Sequence, residues 1–225
     1  IVANYTSSLY PSNVFHQISM KILTTAKIMI KISNLFLVIE YDGQKEHTFN
    51  GIIHTLTKES KGNVDDKGWV KNTSSSTRGS NYPKKVADLE ITNSHFYSNE
   101  YPWFQYDLEQ WKVCPTHYSI RSRHDGGVND HNAKSWVIEG RSSDNEKWTN
   151  LDSQQNSPFL NDIGVVHTFD IKSTENNKEG FRYLRFRYTG PNWCNYNRMV
   201  ISALEYFGRL IEEWIITYFF QITTN

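Results

Sequence analysis

The chain reads as an all-β protein, an antiparallel sandwich, on three observations. Residues 115 to 122, Pro-Thr-His-Tyr-Ser-Ile-Arg-Ser, put Tyr118 and Ile120 on one parity and His117, Ser119 and Arg121 on the other, the period-two signature of a strand with one buried face. Trp136, Val137 and Ile138 form a compact apolar run, closed by Gly140 and the polar turn Ser142 to Glu146, with Trp148 behind it. From Phe49 onward, short apolar pieces alternate with turn residues, the spacing of successive short strands.

Composition fits a packed globular chain. Of 225 residues, 14% are aromatic and only six are proline, so the chain can bury a sizeable core and is not a disordered segment. Lys plus Arg and Asp plus Glu balance at 24 each, so nothing draws the whole chain to nucleic acid. The two cysteines, Cys114 and Cys194, sit within the domain and show no metal or redox spacing. They read as free thiols of a reducing, cytoplasmic setting.

Residues 1 to 48 are read as an N-terminal flank, the end of a preceding domain. Within it Ile28 to Ile39 is largely apolar, a buried helix or strand too short to span a bilayer, so no transmembrane segment is expected. A polar break at Tyr41 to Thr48 precedes the domain proper, 49 to 210. Phe49 to Leu56 is the first apolar piece and is read with the strands, followed by the charged loop Lys58 to Gly68 and by Trp69 to Thr73. Phe104, Tyr106 and Leu108 alternate with polar residues, as do Val165, His167, Phe169 and Ile171, then Leu184, Phe186 and Tyr188 against Arg185 and Arg187. Met199 to Phe207 is the last apolar piece before Gly208, and 211 to 225 form a C-terminal tail, a terminal helix or strand.

Several of these pieces together carry a resemblance. Ser-Ser-Ser (74 to 76), Tyr-Pro, Trp-Phe-Gln-Tyr-Asp-Leu (103 to 108), the strand 115 to 122, Lys-Ser-Trp-Val-Ile-Glu-Gly (134 to 140), Trp148, Phe-Arg-Tyr-Leu-Arg-Phe-Arg (181 to 187) and Leu-Glu-Tyr-Phe-Gly (204 to 208) resemble, in that order, the coagulation factor five/eight type C domain, or discoidin-like domain. The chain is most similar to the intracellular branch common in protist proteins, sometimes found behind a BTB domain. The resemblance implies a jelly-roll sandwich of the galactose-binding-like superfamily. It also implies a non-catalytic module holding a protein, a glycan or an anionic phospholipid on loops at one end. Secreted members staple the domain ends with a disulfide, and no cysteine stands near Phe49 or Gly208.

A sandwich spends its strand residues on the core and leaves variable chemistry to its end loops. Ser122 to Asn132 is the richest candidate, with Arg123, His124, Asp125, Asn129, Asp130 and His131 around Gly126 and Gly127. Tyr97, Tyr101 or Trp193 would supply an aromatic platform. The imidazoles and carboxylates of this loop are the donor types of zinc and calcium sites, but their spacing matches no recognised site, and neither metal nor cofactor is expected.

No ordered catalytic signature is present, and His117 beside Ser119 reads as an outward polar strand face. Arg182, Arg185, Arg187 and Arg198, with Arg121 and Arg123, read as a solvated, ion-paired face. Trp136 and Trp148 read as core, Trp148 closing one end. The expected function is recognition of a protein or glycan by the end loops of an arm of a larger intracellular adaptor, with a carbohydrate-binding module as the alternative.

Overall fold

The computed structural model describes residues 27 to 77, 83 to 89, 94 to 97, 101 to 172 and 178 to 219. The chain divides into two compact units, Lys31–Trp214 on one hand and Ile1–Ile30 with Ile215–Asn225 on the other. In the second, the described residues are strand backbone at 27 to 30 and 215 to 219.

The described strands, in chain order, are β1 (Lys27–Ile39), β2 (Lys71–Ser74), β3 (Ser94–Tyr97), β4 (Trp103–Asp107), β5 (Trp111–Ser122), β6 (Trp136–Arg141), β7 (Thr149–Gln154), β8 (Val166–Asp170), β9 (Tyr183–Tyr188) and β10 (Arg198–Phe219). One sheet runs β1-β10-β5-β8, with β3 also paired to β10, and the other runs β2-β4-β9-β6-β7. Every pairing with a given register is antiparallel. The expected all-β sandwich is what forms.

Alternation builds the core. Phe104, Tyr106, Leu184, Phe186, Tyr188, Trp136 and Ile138 from one sheet meet Tyr118, Ile120, Leu204 and Tyr206 from the other, all buried. Phe169 packs between them, stacked on Tyr118 at 5.0 Å and edge-on to Trp136 at 5.4 Å. Such ring pairs add about 0.5–1.5 kcal/mol each to the apolar burial. Among the described residues no helix is long and apolar enough to cross a membrane, and both cysteines are free.

Three expectations are corrected. The first apolar piece, Phe49 to Leu56, is not a strand: Ile52–Glu59 form a helix, α1. Ile52, Ile53 and Leu56 fall on one helical face and are buried, a spacing that a short apolar run disguises. Second, the parity expected to face outward is in part covered. Ser119 is fully buried, its Oγ 2.7 Å from Oγ1 of Thr168, and it pairs in register with Glu205, also fully buried. The Glu205 carboxylate accepts from the backbone N–H groups of Ile53 (2.7 Å), His54 (2.9 Å) and Tyr206 (2.8 Å), supplying the cap that Gly51 has no side chain to give. Third, Trp148 does not close the core. It is half-buried beneath the guanidinium groups of Arg185 (3.9 Å to the ring centre) and Arg141 (4.7 Å).

The strand registers fix which loops meet. Ser122 lies opposite Ile201 and Arg121 opposite Val166, at the end where β5 stops and β8 and β10 begin. Trp136 lies opposite both Gln154 and Tyr188, Trp103 opposite Arg187, and Arg198 opposite Tyr97. The connections β5 to β6, β7 to β8 and β9 to β10 therefore all cross between the sheets at the same end.

Candidate functional site

Three connections converge at that end, residues 123 to 135, 155 to 165 and 189 to 197, and hydrogen bonds lock them together. The loop after β5 wraps around Arg123, whose side chain is only 8% exposed. Its Nε and Nη2 donate to Oδ1 of Asp125 at 3.0 and 2.6 Å, and its Nη1 lies 2.9 Å from Oδ2 of Asp130. Gly126 adopts φ +99° directly over the guanidinium, where a Cβ would come within 2.9 Å of Arg123 Cζ. Asn129 and Asn161 are tied reciprocally, the Asn129 N–H to Asn161 Oδ1 at 2.9 Å and the Asn161 amide to Asn129 Oδ1 at 2.7 Å. Gly164 N–H donates to the Arg123 carbonyl at 2.7 Å, and the buried Asn132 amide to that of Gly127 at 2.8 Å.

The third connection adds a chain of polar atoms. Nη1 of Arg198 lies 2.9 Å from Nε2 of His131. Arginine can only donate, so Nε2 is the accepting nitrogen and the imidazole proton sits on Nδ1. Nδ1 lies 2.8 Å from Sγ of Cys194, and that sulfur lies 3.2 Å from Oδ1 of Asn192, which also accepts from the backbone N–H of Tyr196 at 3.0 Å. Burial, then the neighbouring Arg198, hold the His131 pKa below its ordinary value. Burial, then Asp130, push the Cys194 thiol up. Both groups are thus held neutral in the resting site.

Around this polar centre lie exposed apolar side chains. Tyr196 (60% exposed) meets His131 edge-on at 5.5 Å, and Val128, Phe159, Ile163 and Tyr101 are exposed on loops of the same end. Phe159 stacks flat on His167 at 4.2 Å.

Of the residues anticipated from the sequence, Arg123, Asp125, Asp130 and His131 come together in one network. Asn129 serves the tie to Asn161, and His124 is exposed on the loop surface. Trp193 is half-buried, its backbone N–H reaching the Asn132 carbonyl at 3.3 Å and its ring lying 5.0 Å from Lys134 Nζ. Tyr101 is exposed before β4 with φ +41°. Tyr97 has its backbone in β3, and its side chain lies outside the described residues. Sequence reading missed Asn192, Cys194 and Tyr196 as members of this site; the asparagine-rich context of Trp193 was the available signal.

The arginine-rich face is ion-paired. Arg185 and Arg187 both donate to Glu139 Oε2, at 2.8 and 3.0 Å, and Arg182 clamps Asp107 at 2.6 and 2.9 Å.

No protein-family model matches the chain. Among solved structures it is similar to the CBM32-5 module from Clostridium perfringens, solved in complex with GalNAc-β-1,3-galactose, at 13% identity and a TM-score of 0.49 over 62% of this chain and 96% of that one. It is also similar to the fucolectin from striped bass serum, at 17% identity and TM-score 0.48 over 62% and 47% of the two chains. An F5/8 type C domain from Bacteroides fragilis, which bears the family name that the sequence motifs resemble, aligns at 16% identity and TM-score 0.48 over 66% and 94%.

Proposed function

We propose that the chain is a non-catalytic recognition module, residues 49 to 210, whose three converging connections hold a hydroxyl-rich ligand of the glycan class. The observation that carries this reading is the pairing of a polar centre with an exposed aromatic at one end of the sandwich. Asp125, Asp130, His131 and Arg198 present both donors and acceptors, and the Tyr196 ring stands beside them. Sugars offer that combination in reverse, hydroxyls along an edge and a C–H face that packs on an aromatic ring. Arg123, Arg182, Arg185 and Arg187 are engaged by carboxylates, which makes them a poor fit for phosphate headgroups. His117 and Ser119 do not act as a pair, since Ser119 is buried against Thr168 while His117 meets Thr116 at 3.0 Å and Asp170 at 3.3 Å. Two free cysteines support a reducing, intracellular setting.

A second reading is carried by a different observation. Val128, Phe159 and Ile163 are exposed around the same centre, and a cluster of apolar groups without polar atoms suits a protein partner better than a sugar. A glycan array run beside direct binding assays with peptide libraries separates the two. Saturable binding to defined glycans, lost on Tyr196→Ala, supports the glycan reading. Peptide binding with a blank array reverses the order.

A further inference from the structure

The sulfur of Cys194 is crowded by polar groups, a donor at His131 Nδ1–H and two oxygens, Asn192 Oδ1 and Asp130 Oδ1, that compete for its one proton. His131 Nδ1 lies 2.8 Å from the sulfur, Asn192 Oδ1 3.2 Å and Asp130 Oδ1 3.9 Å. The thiolate, imidazole and carboxylate donors all fall within 4.8 Å of one another. Sulfur, nitrogen and oxygen are the donor set of Zn2+, and bond lengths of about 2.0–2.3 Å to a common ion require donor separations of roughly 3.5 Å. The sulfur lies 2.8 Å from the nitrogen and 3.9 Å from the carboxylate oxygen, each within about 1 Å of that and a side-chain rotation away.

We propose that Asp130, His131 and Cys194 form a binding site for Zn2+, with the fourth coordination position open toward the loop surface. Asp130 is already oriented for it. Its Oδ2 is engaged by Arg123 Nη1 at 2.9 Å, while Oδ1, which accepts from the backbone N–H of His131 at 2.8 Å, keeps a lone pair on the sulfur side. This is the arrangement in which an outer partner aims a metal ligand. Binding releases the thiol proton to solvent, and the imidazole proton passes from Nδ1, which takes the metal, to Nε2. That last transfer gives the site its control. Nε2 then carries a hydrogen and can no longer accept from Arg198, so the guanidinium at 2.9 Å and the metal compete for the same imidazole. Asn192 Nδ2, 3.2 Å from Nδ1, must likewise turn aside, and its bond to the Arg198 carbonyl at 3.0 Å gives it a partner when it does.

The site lies within the recognition surface proposed above, but its test needs no glycan. Titration of the full chain with ZnCl2 against a chromophoric chelator is expected to show one bound ion per chain, with CaCl2 and MgCl2 ineffective. Co2+ in its place should give the near-ultraviolet thiolate-to-metal absorption. Cys194→Ser should abolish that absorption and the Zn2+ binding, with unchanged thermal unfolding in chelator showing that the fold persists. Arg123→Ala should weaken binding by about tenfold by freeing Asp130, whereas Arg198→Met should tighten it. Absence of stoichiometric Zn2+ binding, or Cys194→Ser binding as well as the parent chain, overturns the site. Glycan binding measured in chelator reports separately on the recognition reading.

Discussion

The indole N–H of Trp136 donates to the phenolic oxygen of Tyr118 at 3.0 Å, from one sheet of the sandwich to the other. Tyr118 in turn donates a hydrogen bond from its hydroxyl to Asp152 Oδ2 at 2.6 Å, so β5, β6 and β7 are joined by one chain of hydrogen bonds in a largely buried setting. Burial, then the Asp152 charge, hold the Tyr118 hydroxyl protonated well past its ordinary range. Removing the hydroxyl leaves the indole N–H without its acceptor, which costs about 1–3 kcal/mol. Tyr118→Phe is therefore expected to lower the urea midpoint at unchanged slope. An unaltered midpoint would show that the bond between the sheets contributes nothing.

Glu205 gives the fold a pH dependence of unusual sign. Burial raises its pKa to about 7 against the opposing pull of the His54, Ile53 and Tyr206 N–H groups. Its folded pKa thus exceeds its unfolded one, so its contribution is full below about pH 4.5 and is lost as pH rises through about 7. Unfolding curves between pH 5 and 8 should show stability declining by a few kcal/mol over that window, after correction for other groups, and Glu205→Gln should remove the slope.

Close backbone approach at the same place makes a second test. A Cβ on Gly51 would come within 2.7 Å of the Glu205 side chain. Gly51→Ala should therefore detach the start of α1 and cost about 1–3 kcal/mol, read as a lower melting temperature with faster exchange of the Ile53 and His54 amides.

The pairing of Glu139 with two arginines is asymmetric. Its side chain is 9% exposed, while Arg185 and Arg187 are 16% and 28% exposed. Burial alone would raise its pKa, but Arg187 and Arg185 together hold it below the ordinary carboxylate range. Glu139→Ala strands two guanidinium groups and should cost about 2 kcal/mol or more, above the loss from Arg187→Ala alone. Chemical denaturation of the two variants decides the order.

Much of the sandwich could be read from residue order because one-sided burial imposes period two: Phe104 and Tyr106, Tyr118 and Ile120, and Leu184, Phe186 and Tyr188 all point inward as their parity requires. The helix at Ile52–Glu59 was illegible because three apolar residues in five positions satisfy strand and helix alike, and its cap comes from Glu205, 152 residues away from Ile53. Trp148 misled because a large aromatic after a turn suits a core edge as well as an arginine stack. The loop around Arg123 could be singled out by composition. Cys194 could not, since its contact with His131 spans 63 positions and exists only because two inter-sheet connections share an end.

The central claim is that ligand chemistry resides at the end where β5, β7 and β9 terminate. The most direct measurement is amide-resolved NMR during titration with a glycan selected on the array. Shifts confined to residues 123 to 132 and 189 to 198, abolished by Tyr196→Ala and retained in Lys147→Ala at the opposite end, are the expected result. Shifts centred on residues 142 to 148, or binding that survives Tyr196→Ala but not Lys147→Ala, would contradict it.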